Sequence, residues 1–303
     1  MRRHLTNRLR NLRDWLELHN VPFLSRLHNA RLFGMYSMRE PSVAQLWESD
    51  PDALYVEPLI VPGAVVFDVG ANLGSFCYTV RRTKQPIQLV AFEPAPLLAQ
   101  RLQRLFKDVE VRQLALSDRR STATLRVPYI DGRRHDSRGS LARIVDSDRF
   151  SEITVHTDSL DNVFQSGKLQ RLDLVKIDVE GHELEVIKGG EQTLRAHQPA
   201  LLVEIEQRHH GSQPIAHIMT FVESLGYQGW FLNRQSLRFD ALDLFDVAVH
   251  QRREDMGTHK YVNNFLFLSR ASTMGQVRGR LTAHLHELVR GLGFPGQERA
   301  GRD

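Results

Sequence analysis

Apolar positions in this chain gather into short runs of strand length, separated by segments of helical period. Val65-Val66-Phe67-Asp68-Val69 and Leu89-Val90-Ala91-Phe92 show no polar alternation, the pattern of strands buried on both faces. Phe76 and Val80 follow the first run at helical spacing, and Leu97, Leu98, Leu102, Leu105 and Phe106 follow the second. Residues 109–116, 122–127 and 153–157 read as extended, 129–140 as a polar loop without period, and Ser159 as the opening of a short helix. Residues 172–179, 200–205, 227–232 and 265–268 predict further strands, and 184–194 and 215–225 predict helices. This alternation predicts an α/β fold with a mostly parallel, doubly wound sheet and helices on both faces.

The ends of the chain follow other patterns. In residues 1–36, Leu5, Leu9, Leu12 and Leu16 share a helical face beside Trp15, while Arg2, Arg3, Arg8, Arg10 and Arg13 fill much of the remainder. A packed helix with a solvated basic face is favoured over a peripheral membrane or partner helix, because Asp14 and Glu17 interrupt the basic field. The expected division is an N-terminal helical segment over 1–57, a sheet domain over 58–270 and a tail over 271–303. The tail carries one amphipathic helix (Leu281, Leu285, Leu288, Leu292) before Gly293, Pro295 and Gly296.

Composition adds bounds. The apolar fraction of 41% is ample for a core, and the net charge of +4 fits an anionic partner without establishing one. No run of eighteen apolar residues predicts a membrane span, and no apolar stretch near the N-terminus predicts a secretory signal. The single Cys77 fits a reducing, cytoplasmic compartment and reads as a packed small hydrophobe.

Candidate chemistry lies at the ends of the strands. The first run passes through Gly70-Ala71-Asn72-Leu73-Gly74 into a helix, the nucleotide-handling corner of a doubly wound sheet. It supplies neither the G-x-G-x-x-G of a dinucleotide site nor a Walker lysine. Glu93 ends the next run about 20 residues later, where an acid grips a ribose diol. The bland alternative is that it caps the helix after Pro94. Turn and acid together predict a cofactor containing a nucleoside. A third string, Leu172-Asp173-Leu174-Val175-Lys176-Ile177-Asp178-Val179-Glu180-Gly181-His182-Glu183, brings two carboxylates and an imidazole to another strand tip. Lys176, on the same side of the strand as Asp178, is expected to pair with Glu204 or Asp68 beneath the site. Glu204 and Glu206 with Asp178 form an alternative set for a divalent cation, whereas the adjacent His209 and His210 do not read as ligands. The arginine-rich loop over 131–143 (Arg133, Arg134, Arg138) suits phosphate or carboxylate, or is a solvated loop.

Asp68-Val69-Gly70-Ala71-Asn72-Leu73-Gly74, Phe92-Glu93-Pro94, Lys176 to Glu183 and Leu202-Val203-Glu204-Ile205 together resemble the FkbM-type family of S-adenosylmethionine (SAM) dependent methyltransferases. Gly139-Ser140-Leu141, Lys188-Gly189-Gly190 and Asn263-Asn264-Phe265-Leu266-Phe267 also match family landmarks, so the resemblance covers residues 61–268. It implies a Rossmann-like class I methyltransferase fold with an antiparallel last strand. It implies SAM as cofactor, and O-methylation of a hydroxyl on a sugar, glycan or natural product; an anionic acceptor is the option the arginine loop adds by its own chemistry. The expected cofactor-binding residues are Asp68, Gly70, Ala71, Asn72, Gly74, Glu93 and Ser117. The expected catalytic residues are Asp178, Glu180 and His182: Asp178 nearest the transferred methyl, its carboxyl raised by burial or by Glu180, and His182 the rival base. No metal ligand is assigned, a divalent cation being the disfavoured addition. Nucleic acid is disfavoured because the strings used for base methylation are missing and Cys77 is misplaced for attack on cytosine. An RNA methyltransferase and a SAM-binding protein without turnover stay open as alternatives.

Overall fold

A computed structural model describes residues 55, 57–130, 133–135, 138–142, 149–270 and 274–291. The first apolar run forms Val65–Val69 (β1), buried at every position, and its glycine turn leads into Ser75–Arg82 (α1). Gln88–Phe92 (β2) runs parallel to β1 and feeds Pro96–Leu105 (α2), where proline at the first turn sacrifices no helical hydrogen bond.

The run over 109–116 is divided. Glu110–Arg112 (β3) extends the sheet beside β2, and a tight turn, with the Leu114 N–H on the Arg112 carbonyl at 2.9 Å, redirects the chain. Ala115–Ser117 (β4) then joins a second sheet with Ser121–Ile130 (β5), Arg133–Arg134 (β6) and Phe150–Ser159 (β7), in the order β4-β7-β5-β6. The segment expected as a loop over 129–140 therefore begins as a hairpin, with Tyr129 opposite Arg134. Its pairing rests on main-chain groups, which leave no apolar period to read. Much of the arginine loop, and the whole basic helix expected over 1–36, lie outside the described residues.

Ser159 caps Leu160–Ser166 (α3) by accepting the Asn162 N–H, as its position suggested. Leu174–Ile177 (β8) follows. The single helix expected over 184–194 is two, Glu183–Gly189 (α4) and Glu191–His197 (α5). The break has two causes. A methyl group on Gly189 would collide with the Ser117 carbonyl, so α4 presses directly onto β4. The Asp161 carboxylate also accepts the N–H groups of Gln192 and Thr193, starting α5 afresh. Next come Ala200–Glu204 (β9), Gln207–His210 (α6), Ala216–Ser224 (α7), Tyr227–Asn233 (β10), Arg238–Ala241 (β11), Val247–His250 (α8), Asn264–Ser269 (β12) and Met274–Gly291 (α9).

The eight-stranded sheet has the order β11-β10-β12-β9-β8-β1-β2-β3. The strands from β3 to β9 run parallel, and β12 is antiparallel to both β9 and β10. This is the doubly wound α/β sheet with an antiparallel last strand that the sequence predicted; the edge strand β11 is an addition. Strand order reverses between β1 and β8, so their carboxyl tips flank the crevice where such sheets bind ligands. Phe67 and Phe92 pack edge to face at 5.1 Å under those tips. At the far end, α9 buries Leu281, Leu285 and Val289, a line spaced by four, against the Glu57–Leu59 turn and β11. Val289 takes the core position expected of Leu288, and Leu292 lies outside the described residues. Among the described residues no helix is long and apolar enough to cross a membrane.

Candidate active site

The glycine turn is held by its backbone. The N–H groups of Gly70 and Ala71 both donate to the Phe92 carbonyl at 3.0 Å, tying the turn to the tip of β2. Gly70 has φ +83°, and a methyl group there would collide with the Asp178 carbonyl, so only glycine lets the tips of β1 and β8 touch. Gly74 serves packing: a Cβ would come within 2.6 Å of Phe106 and 2.8 Å of Leu102, so its absence lets α1 settle on α2. Asn72 adopts φ +51°, a conformation asparagine tolerates, and donates its N–H to Glu93 Oε2 at 2.8 Å. Glu93 Oε1 accepts the Ala95 N–H at 2.8 Å, which steadies the entry to α2, but no side chain caps the helix itself, so the capping alternative weighed for Glu93 is not realised. A carboxylate offers about four acceptor sites. Glu93, which faces the cleft, therefore keeps capacity for a diol.

Asp68 lies buried beneath the turn and accepts the Cys77 thiol at 3.1 Å. Burial and this neighbouring carboxylate push the Cys77 thiol up, so it stays protonated, the packed and unreactive cysteine the sequence suggested. Ser117 is also buried, and its hydroxyl meets His182 Nε2 at 2.9 Å.

Lys176 Nζ lies 3.1 Å from Asp178 Oδ2, two residues along its own strand. The Lys176 charge also acts on Glu204 of the neighbouring strand, one of the two expected partners, opposing the burial that raises that carboxyl, and the side-chain period of two adds Asp178 from its own strand. The chain then makes two left-handed steps, Glu180 (φ +53°) and Gly181 (φ +99°). For glutamate this conformation costs about 1 kcal/mol. It is pinned by the Ser140 hydroxyl, which donates to the Glu180 carbonyl at 2.6 Å. Burial and the nearby Asp178 raise the Glu180 carboxyl to about 8, against the opposing pull of Arg208. His182 begins α4, where burial lowers its imidazole despite Glu185, Glu183 and Asp118, so it is neutral near pH 7.

Beyond β9 lies a cluster that sequence reasoning missed. Arg208 forks onto the buried Glu206 through Nε at 2.7 Å and Nη2 at 3.0 Å, and the Tyr261 hydroxyl donates to the same carboxylate at 2.6 Å. Burial alone would raise Glu206, but these hydrogen bonds and the Arg208 charge outweigh it and hold the carboxyl at about 2. The four-residue α6 points His209 Nε2 at Glu180 (3.1 Å) and His210 Nε2 at the buried Glu183 (3.1 Å). Glu204 accepts the Asn263 amide at 2.9 Å. The alternative cation set of Asp178, Glu204 and Glu206 is not assembled, since Lys176 takes the first and Arg208 with Tyr261 the last. Among the described residues no group of three or more His, Cys, Asp or Glu is placed to hold a metal ion.

Together the tips line a cleft of about 570 Å³, counted with its open mouth. Gly70, Asn72, Glu93, Asp178, Glu180 and His182 face it, with Leu98, Leu116, Leu125 and Leu141 as apolar walls. Of the expected site residues, Asp68, Ala71, Gly74 and Ser117 stand behind this lining.

A family model described as the methyltransferase FkbM domain matches residues 68–228. The 2-O-methyltransferase NoeI of Sinorhizobium fredii is 31% identical over 147 residues, covering 44% of this chain and 60% of that protein. The hexuronic acid methyltransferase AglP of Haloferax volcanii is 28% identical over 225 residues, covering 69% of this chain and 85% of that protein. A crystal structure of an FkbM methyltransferase from Methylobacillus flagellatus aligns with a TM-score of 0.42 at 17% identity, over 68% of this chain and 43% of that one.

Proposed function

Since the chain belongs to the FkbM methyltransferase family, we propose that it transfers a methyl group from SAM to a hydroxyl of a sugar or glycan. One observation carries this reading: the glycine turn and Glu93 are joined by the Asn72 N–H and share a cleft with Asp178 and Glu180 on the opposite tip. The donor set fits the cofactor. Glu93 suits a ribose diol, the leucine walls suit an adenine ring, and the acidic lining suits a sulfonium cation. The turn lacks the G-x-G-x-x-G spacing that brings main-chain N–H groups to a dinucleotide's pyrophosphate, which disfavours NAD. The relatives' names favour a sugar acceptor, one printed for 2-O-methyl transfer and the other for a hexuronic acid.

When bound, SAM supplies an electrophilic methyl group together with its leaving group. The protein has to align the acceptor oxygen and take its proton. Asp178, held 3.1 Å from the Lys176 ammonium, is placed to orient the donor's positive charge. Glu180, whose carboxyl is raised to about 8 by burial and the nearby Asp178, is suited to take the hydroxyl proton once it has passed on its own. His182, fastened to Ser117, presents a neutral ring to the acceptor.

Calorimetric titration of SAM, S-adenosylhomocysteine and NAD into the purified chain tests the cofactor. SAM and S-adenosylhomocysteine should bind and NAD should not. Glu93→Ala should weaken SAM by roughly 100-fold, about 2.7 kcal/mol, through loss of charged hydrogen bonds. Release of S-adenosylhomocysteine with a panel of hexoses, hexuronic acids and nucleotide sugars then tests the acceptor class. Folded protein that ignores SAM would sink the proposal.

A further inference from the structure

We propose that Glu180 and His209 act as one proton-accepting pair, with His209 a positioning residue that works through Glu180 on the cleft side. This rests on the methyltransferase reading above and adds the destination of the acceptor's proton.

The cleft presents three described carboxylates, and their partners differ. Glu93 accepts main-chain N–H groups on each oxygen, and Asp178 faces an ammonium. Both therefore have oxygens committed to fixed hydrogen-bond donors that cannot take up a proton. Glu180 instead meets an imidazole nitrogen at 3.1 Å, a group that can itself accept a proton. Arg208 stands 4.0 Å away, but its guanidinium is forked onto Glu206.

The contact is also rigidly built. The missing Cβ of Gly181 makes room for α6: an added one would lie 3.0 Å from the His209 Cβ. The next residue, His210, is anchored on buried Glu183, so α6 cannot swing its histidines away. On the other side, Ser140 fixes the Glu180 backbone.

Burial first, and then the facing carboxylates Asp178, Glu206 and Glu183, keep the Glu180 carboxyl protonated, and Arg208 opposes them. Burial and Arg208 keep His209 neutral. Near neutrality the pair therefore holds one proton, on Glu180 and directed at His209 Nε2. The step balances. Glu180 passes this proton to Nε2 while accepting the hydroxyl proton on its cleft side. The acceptor oxygen bonds the methyl carbon, and the carbon–sulfur bond breaks with its electron pair going to sulfur. The positive charge lost from the sulfonium donor reappears on the imidazolium, so the closed site keeps its net charge.

The test follows ring ¹⁵N and carboxyl ¹³C signals of the full chain, labelled at histidine and glutamate, through a pH titration. In the wild type, His209 and Glu180 should shift with one common midpoint near pH 8. Glu180→Gln should abolish that transition at His209, and His209→Gln should move the Glu180 midpoint. In turnover with SAM and whichever panel sugar reacts best, His209→Gln should lower kcat roughly 100-fold or more and reshape its pH profile. KM and the calorimetric SAM affinity should stay within about threefold, since His209 does not face the cleft. Independent midpoints for the two wild-type signals, with normal SAM binding, would overturn the pair alone. Absent SAM binding in the wild type would overturn the functional reading and the catalytic role of the pair with it.

Discussion

On the β1–β2 side of the cleft, residues 21 apart in sequence are joined by main-chain N–H groups reaching one carboxylate. On the β8–β9 side, the contacts span longer intervals, 55 residues for Tyr261 to Glu206 and 29 (209 − 180) for His209 to Glu180, and join side chain to side chain. The first arrangement depends on backbone shape. The second depends on protonation, because its members include two carboxyls displaced in opposite directions and two histidines. One half of the cleft is thus a rigid mould and the other a set of coupled acids and bases.

The comparison breaks most sharply at Gly70. Gly70→Ala should destabilise the chain by about 3–5 kcal/mol, because the new methyl group meets the Asp178 carbonyl and φ is positive. Denaturant unfolding measures this. A loss below about 1 kcal/mol would mean the two strand tips yield, and the mould is soft.

A smaller effect is expected on the titratable side. Tyr261→Phe should cost about 1–2 kcal/mol by removing one donor from buried Glu206. The Glu206 carboxyl is depressed from 4.5 to about 2, so the unfolded chain binds its proton at higher pH than the folded one. Its contribution is therefore complete above pH 4.5 and is lost as pH falls towards 2. Tyr261→Phe should raise the carboxyl's folded value and move the acid-unfolding midpoint to higher pH. An unmoved midpoint would assign the whole effect to Arg208.

The least effect belongs to the exposed pair of Arg81 and Asp108, 2.8 Å apart with both side chains open to solvent. Asp108→Asn should change stability by about 0.5 kcal/mol or less, measured in low and high salt. A change above about 1 kcal/mol would mean the glycine-turn half leans on charge after all.

The same division explains what was legible in the sequence. Buried parallel strands, the glycine turn, Glu93 and the Ser159 cap were readable, because period, turn chemistry and capping act over a few residues. The split of 109–116 between two sheets was not, since both halves are equally apolar and only a tight turn separates them. The break at Gly190 depended on a contact of α4 with β4, which no spacing in the sequence announces. His209 carried no signal by spacing; the doubly wound topology brings it to Glu180. The nearest clue was Gly181, a glycine after a strand tip, which marked a close approach without naming what approached.

The central place of β1 has a consequence for synthesis. Val65 donates its N–H to Asp173, 108 residues later, at the start of the strand that closes the open side of β1. At about 5–20 residues per second, the ribosome needs roughly 5–20 s to make the intervening chain. Through that interval a strand buried at every position in the finished fold carries an unpaired edge, so the nascent chain should be far more prone to aggregate than the finished protein.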